Sequence, residues 1–209
     1  MQDLIPYLIF TMIGYLSGSV MYSKLLPSLF KHVDITKISD DGNPGAGNVF
    51  KNIGSSFGML CLLCDIFKGV IPIALCLHYL AWDTPLFGLV LAAPVLGHAR
   101  KGKAIAVSFG VLLGLLPFSW MVLYLAVPFI FFSTLVRFNP HAWRVVIAFL
   151  CFILTVYVRV PIPALQLGAL LVTITVVARH GIYIKSAHEK LRVDLGWNPG
   201  WLKRLFVKK

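Results

Sequence analysis

Charge is scarce in this sequence, and acidic charge scarcest: eight Asp and Glu stand against nineteen Lys and Arg, and charged residues make up 13% of the 209. With 58% hydrophobic residues and a mean hydropathy of +0.84, an ordinary soluble domain is excluded. No repeat of roughly 20–50 residues is present, and no polar linker is long enough to separate domains. Cysteine is limited to Cys61, Cys64, Cys76 and Cys151, all within apolar stretches. Cys61 and Cys64 have C-x-x-C spacing, but no second pair or histidine cluster completes a zinc site. They read as small buried hydrophobes. The first thirty residues lack a basic leading region, Asp3 being the only early charge, and lack a small-residue cleavage site. They are expected to be a retained helix, not a signal peptide.

What is abundant is apolar sequence in runs near the length that crosses a bilayer. Spans are expected at 4–26, 57–80, 119–136, 145–158 and 163–178. Two shorter apolar pieces, 86–97 and 104–118, flank Arg100-Lys-Gly-Lys103. They are either two short spans or one re-entrant hairpin, since non-helical backbone at membrane depth is tolerated where it lines a polar cavity. The expected fold is all-α: a polytopic membrane protein of seven transmembrane helices, forming a single domain over residues 1–209. Apart from Lys68, inside the second span, and Arg159, every Lys and Arg falls in or beside the polar segments of one side. The positive-inside rule then puts the N-terminus outside and the C-terminus in the cytoplasm. Cytoplasmic loops follow at 31–56, 98–103 and 137–144, with a tail at 179–209. The tail segment Trp201-Leu-Lys-Arg-Leu-Phe-Val-Lys-Lys209 sets Trp201 with Leu205 and Leu202 with Phe206 at helical spacing beside four cationic groups and reads as an interfacial anchor.

The polar residues concentrate in that cytoplasmic set. Residues 34–51 read Asp-Ile-Thr-Lys-Ile-Ser-Asp-Asp-Gly-Asn-Pro-Gly-Ala-Gly-Asn-Val-Phe-Lys. Gly42, Gly45 and Gly47 free the backbone for turns whose successive amides form anion-holding nests. An anion-ready loop tethered between two membrane helices points to chemistry on a phosphorylated molecule beside lipid. Arg100-Lys-Gly-Lys103 satisfies a portion of a phosphate-loop pattern, but Ala104 stands where Ser or Thr binds magnesium and no strand precedes it, which excludes a nucleotidase. Gly102 still lets backbone amides and the Lys103 ammonium converge on one phosphate. The alternative for this cluster is a positive-inside stop signal. Asp65 and Lys68 share one helix face and are either a cavity wall or a mutually neutralising pair. Ser17, Gly18 and Ser19 are either small packing residues or, at Ser19, a pocket wall. His180, after Arg179, and His98 are each either a proton relay or a polar cap. No Ser-His-Asp set and no metal-ligand spacing is present.

In order and spacing, Gly18-Ser19, Asp34-Ile35, Gly42-Asn-Pro-Gly-Ala-Gly-Asn48, Asp65-x-x-Lys68-Gly69, Gly97-His98, Gly102-Lys103, Gly110 and Arg179-His180 resemble the bacterial acyl-phosphate-dependent glycerol-3-phosphate acyltransferases. The resemblance runs nearly the whole chain. It implies a multi-pass protein of the cytoplasmic membrane that works in phospholipid synthesis, without metal, cofactor or nucleic acid. The reaction implied is acyl transfer from a fatty acyl phosphate to the 1-hydroxyl of glycerol 3-phosphate. A mixed anhydride is already activated, so orientation and charge stabilisation suffice. On the matching positions, Lys103 is expected to hold phosphate with Gly42, Asn43, Gly45, Asn48 and Gly102. Lys51 and Arg179 supply further charge, and Ser19 lies by the acyl path. Asp41 and His180 are the candidates for contacting the acceptor hydroxyl. The chain departs from the family pattern at Thr36, Gly47, Lys51 and Tyr183, and one residue is inserted so that Asp41 stands where a serine precedes Gly-Asn. Two alternatives stay open: a paralogue with the same donor and another small polar acceptor, and a lipid-binding or transport protein without the chemistry.

Overall fold

The computed structural model describes residues 4–187 and 192–195. The tail anchor expected at 201–209 lies outside them. In chain order the elements are α1 (Leu4–Ser19), α2 (Tyr22–Lys31), α3 (Ile35–Ile38), α4 (Ala46–Asn52), α5 (Ser55–Cys76), α6 (Pro85–Ala99), α7 (Ile105–Leu113), α8 (Met121–Thr134), β1 (Val136–Asn139), α9 (His141–Arg159), α10 (Pro163–Ala187) and β2 (Arg192–Leu195). Helices α5, α9 and α10, the last over Pro163–Lys185, are long and apolar enough to cross a membrane; α1 with α2 makes a fourth if the pair counts as one span. Helices α6 and α8 are apolar but shorter. The nine residues of α7 extend only about 14 Å at 1.5 Å per residue.

The short α6 sits at the centre, between α1 and α10. Phe87, Leu91, Ala92 and Val95 are fully buried, so this helix meets protein on most sides. Glycine sets how closely its neighbours approach. A Cβ on Gly18 of α1 would fall 1.9 Å from the Pro94 carbonyl oxygen, and one on Gly97 2.1 Å from that of Tyr15. The same device joins α5 to α7, where a Cβ on Gly110 would fall 2.1 Å from the Ile66 oxygen. Without a hydrophobic drive between helices in lipid, such close backbone packing holds a bundle together.

Two features depart from the sequence expectation. The first span is not one helix: α1 and α2 meet at an angle of 43°, across Val20 and Met21. The Asp65–Lys68 pair of α5 closes this break. The two side chains form an ion pair at 2.8 Å, almost fully buried. Lys68 Nζ also donates to the Val20 carbonyl, Ser17 Oγ to the Lys68 carbonyl at 2.8 Å and Ser23 Oγ to Asp65 Oδ2 at 2.6 Å. Carbonyls freed by a broken helix at depth need donors, and this pair supplies one. The second departure is a two-stranded antiparallel ribbon in an otherwise helical fold. Val136 pairs with Leu195 and Asn139 with Arg192, so a stretch of the loop expected at 137–144 is strand.

The glycine stretch is fixed to α5. Asp34 caps α3, its Oδ1 accepting from Thr36 N–H at 3.1 Å and Thr36 Oγ1 at 2.7 Å. Ile35 and Val49 are fully buried in a small cluster with Ala46 and Cys61. Apolar anchors on both sides therefore hold the polar residues between them at one end of the bundle.

Candidate active site

Two adjoining cavities open where the glycine stretch, the start of α7 and the start of α9 meet. The larger holds about 650 Å³. Its wall combines polar residues, Asp41, Asn43, Asn48, Asp65, His98, Lys103 and His141, with apolar ones, among them Ile66, Phe109, Phe129 and Ile130 from α5, α7 and α8. Phe109 and Phe129 meet edge to face at 5.4 Å. The smaller cavity, about 490 Å³, is walled by Asp40, Asp41, Lys103, Pro140, His141, Ala142 and Tyr183. Asp41, Lys103 and His141 belong to both walls.

At this junction the Lys103 ammonium lies 2.6 Å from Asp41 Oδ2 and 3.7 Å from the centre of the Tyr183 ring. Asp41 Oδ1 accepts from the Asn43 N–H at 3.1 Å and from Asn48 Nδ2 at 2.8 Å. Burial alone would raise the Asp41 pKa. The hydrogen bonds from Lys103, Asn48 and Asn43 outweigh it and hold the carboxyl below its ordinary value. The Asn43 amide is thus already engaged; Gly42 N–H donates to the Ser39 carbonyl and Asn48 N–H to that of Gly45. Gly42 takes φ +62°, a conformation that suits glycine.

The loop carrying Lys103 is held from two sides. Gly102 N–H donates to the His98 carbonyl at 3.0 Å, and Arg179 Nε donates to the Gly102 carbonyl at 3.3 Å. Gly102 packs so near His98 that a Cβ would fall 2.4 Å from its Nε2. Ala104, at φ 63°, then turns the chain into α7. His180 is buried, with Nδ1 against the Val176 carbonyl at 2.8 Å and Nε2 unpartnered. Its electrostatic neighbours include Lys103, His141 and Arg179, although it lines neither cavity.

Of the residues singled out in the sequence, Asp41, Asn43, Gly45, Asn48 and Lys103 converge on the larger cavity; Gly42, Gly102 and Arg179 line neither cavity but adjoin Asp41 and Lys103 along the chain or through the Arg179–Gly102 hydrogen bond. Ser19 and Lys51 stand apart. Ser19 Oγ donates to the Tyr15 carbonyl at 2.8 Å, within its own helix. Lys51 is exposed and paired with Asp40, and the hydrogen bond to that carboxylate raises its pKa. His141 is the site residue the sequence reading passes over; its only signal is its place after Asn139-Pro140, at the start of an apolar run. Among the described residues no cluster of three or more His, Cys, Asp or Glu is placed to hold a metal ion.

A family profile described as glycerol-3-phosphate acyltransferase matches residues 8–190. The chain belongs to this family. A glycerol-3-phosphate acyltransferase of Macrococcus caseolyticus is 30% identical over 183 residues, covering 83% of this chain and 89% of that protein. One from a Hydrogenobaculum species is 34% identical over 126 residues, covering 57% of this chain and 63% of that protein. The aligned region therefore spans about three-fifths of the Hydrogenobaculum relative's length. In fold the chain is similar to the crystal structure of PlsY (YgiH), an integral membrane glycerol 3-phosphate acyltransferase, in its glycerol 3-phosphate form. The TM-score is 0.73 at 24% identity, over 96% of this chain and 98% of that one. With its several apolar helices, this member of the acyltransferase family is a multi-pass membrane protein.

Proposed function

We propose that the chain transfers a fatty acyl group from an acyl phosphate to the 1-hydroxyl of glycerol 3-phosphate, giving lysophosphatidic acid and orthophosphate. The observation that carries this reading is the larger cavity. A lysine, an asparagine-rich loop and two histidines share its wall with a phenylalanine-lined surface, the two chemistries that an acyl phosphate presents. In the step, the hydroxyl oxygen bonds to the acyl carbon, and the bond from that carbon to the phosphate oxygen breaks. Orthophosphate leaves with the electron pair, and Lys103 offsets the charge that gathers on it. The hydroxyl proton passes to an imidazole: His141 lines both cavities, whereas His180, with an unpartnered Nε2, lines neither. Asp41, tied up by three donors, is poorly suited to take it and serves as a contact to the acceptor.

The same reading includes a single domain in the cytoplasmic membrane with seven membrane helices. The α1–α2 pair is one span, followed by α5, then the short α6 and α7 as two short spans or one re-entrant hairpin, and then α8, α9 and α10. The N-terminus is outside, and loops 31–56, 98–103 and 137–144 with the tail 179–209 are cytoplasmic, which the one-sided Lys and Arg support. A second reading of the acceptor is favoured by the two carboxylates, Asp40 and Asp41, in the smaller cavity. Each is already paired with a lysine, Lys51 and Lys103 respectively, so little positive charge is left for a dianion and a less anionic alcohol fits there. Initial rates with palmitoyl phosphate and either glycerol 3-phosphate or uncharged polyols, for wild type and Asp41→Ser, separate the two. Turnover of glycerol 3-phosphate that Asp41→Ser maintains or improves is expected. No wild-type turnover of glycerol 3-phosphate, in protein shown to be folded, would sink the leading reading.

A further inference from the structure

Three donors of the kind that bind a phosphate oxygen converge on one side chain of the protein itself. The Asp41 carboxylate accepts from the Asn43 N–H, from Asn48 Nδ2 and from the Lys103 ammonium. The other side of that ammonium is covered by the Tyr183 ring. What holds the two partners is unequal. Lys103 follows a loop pinned by Arg179 and packed on His98. Asp41 precedes Gly42, which turns through a left-handed conformation, and its side chain is one-third exposed and borders both cavities. The carboxylate is the more exposed of the two side chains, so it is the partner that an entering ligand meets.

We propose that Asp41 is a resident anion on the phosphate seat of Lys103, displaced by a phosphorylated ligand and returning to expel orthophosphate. This deepens the acyltransferase reading, on which it rests. The carboxylate imposes a similar electrostatic penalty on every phosphate that competes for the seat. A fatty acyl phosphate offsets it by burying its chain against Phe109, Phe129 and Ile130. Orthophosphate has no such contact and is discriminated against. Asp41 therefore acts as a resident competitor: it weakens the hold on every phosphate, so that orthophosphate, which has no apolar contact, leaves the seat, while the acyl chain supplies the selectivity.

The test is calorimetric titration of orthophosphate into the full chain in lipid nanodiscs, for wild type, Asp41→Asn, Asp41→Ser and Asp41→Asn/Lys103→Ala. Both single substitutions keep a polar group beside the Asn43 and Asn48 donors while removing the charge. They are expected to tighten orthophosphate about tenfold or more, the lower end of what one charge at contact distance contributes. The inhibition constant of orthophosphate against palmitoyl phosphate is expected to fall by the same factor, and the added Lys103→Ala to erase the gain. A damaged fold loses affinity, so a gain separates charge competition from a structural role. Orthophosphate binding no tighter in Asp41→Asn and Asp41→Ser than in wild type overturns the proposal. So does failure of both variants to fold, because the carboxylate would then be a fixed element of the loop. A tenfold gain in a protein that transfers nothing from palmitoyl phosphate keeps Asp41 as the resident anion and removes the acyltransferase reading instead.

Discussion

At Lys103 a single ammonium is shared between a carboxylate at 2.6 Å and an aromatic face at 3.7 Å, with two cavities on its flanks. Lys101, two residues earlier, is exposed and lines neither cavity. The same charge on the same loop thus has two different environments. Lys103→Ala is expected to lower kcat/KM with palmitoyl phosphate by roughly a hundred- to a thousandfold, the effect of removing one aligned electrostatic stabiliser. Lys101→Ala is expected to change it by far less. Comparable losses from the two substitutions, in steady-state assays of folded protein, would count against Lys103 as the phosphate contact. A neighbouring histidine adds detail at this scale. Gly102 leaves no room for a side chain against His98, so the loop geometry that aims Lys103 depends on the absence of a Cβ one residue earlier.

At the scale of elements, the Asp65–Lys68 pair lets one helix stabilise a break in another. The pair is charged, almost fully buried and bonded to the chain at Val20, while Asp65 also reaches the larger cavity. Removing one partner leaves an uncompensated charge, at a typical cost of about 3–5 kcal/mol. Removing both exchanges the pair for apolar contact and costs less. Asp65→Ala is therefore expected to lower the unfolding temperature in detergent more than Asp65→Ala/Lys68→Met does. A double variant as unstable as the single, or less stable, would show that the carbonyl contact and not the charge balance dominates. The glycine crossings act in the same direction: α1 on α6 and α5 on α7 are close enough that backbone atoms set the spacing. The α1–α2 break itself is held against the α5 face by the hydrogen bonds of Ser17 to the Lys68 carbonyl and of Lys68 to the Val20 carbonyl.

For the whole molecule, the arrangement to be checked is sidedness. The candidate site gathers residues from 41–48, 98–103 and 141, all in or beside the segments assigned to the cytoplasmic face. In a cysteine-free background, Lys37→Cys, on an exposed stretch of the glycine-bearing loop, is expected to react with a membrane-impermeant maleimide only after cells are permeabilised. Asp83→Cys, in the turn between α5 and α6, is expected to react in intact cells. Labelling of residue 37 from outside would invert the topology and move the site to the opposite face.

The amino-acid sequence by itself determined the apolar helices, the crowding of Lys and Arg into polar segments, and the order of glycine, asparagine, lysine and histidine motifs along the chain. Those properties are local: hydropathy, glycine content and loop charge act within a few residues of where they are written. By the same token it located Asp41, Asn43, Asn48 and Lys103 as candidates, but not that the first and last, 62 residues apart, would bond to one another. Only the tertiary structure decided that contact. It also decided that Ser19 bonds within its own helix, that Lys51 is paired with Asp40 and that His141 lines both cavities. The ribbon between Val136–Asn139 and Arg192–Leu195 belongs with these, since a strand pairing is fixed by its partner and not by its own pattern. The physical reason is distance along the chain. How near two helices come is set by glycines meeting backbone on another element, Gly18 on Pro94 and Gly110 on Ile66, and those approaches decide which polar side chains can reach each other.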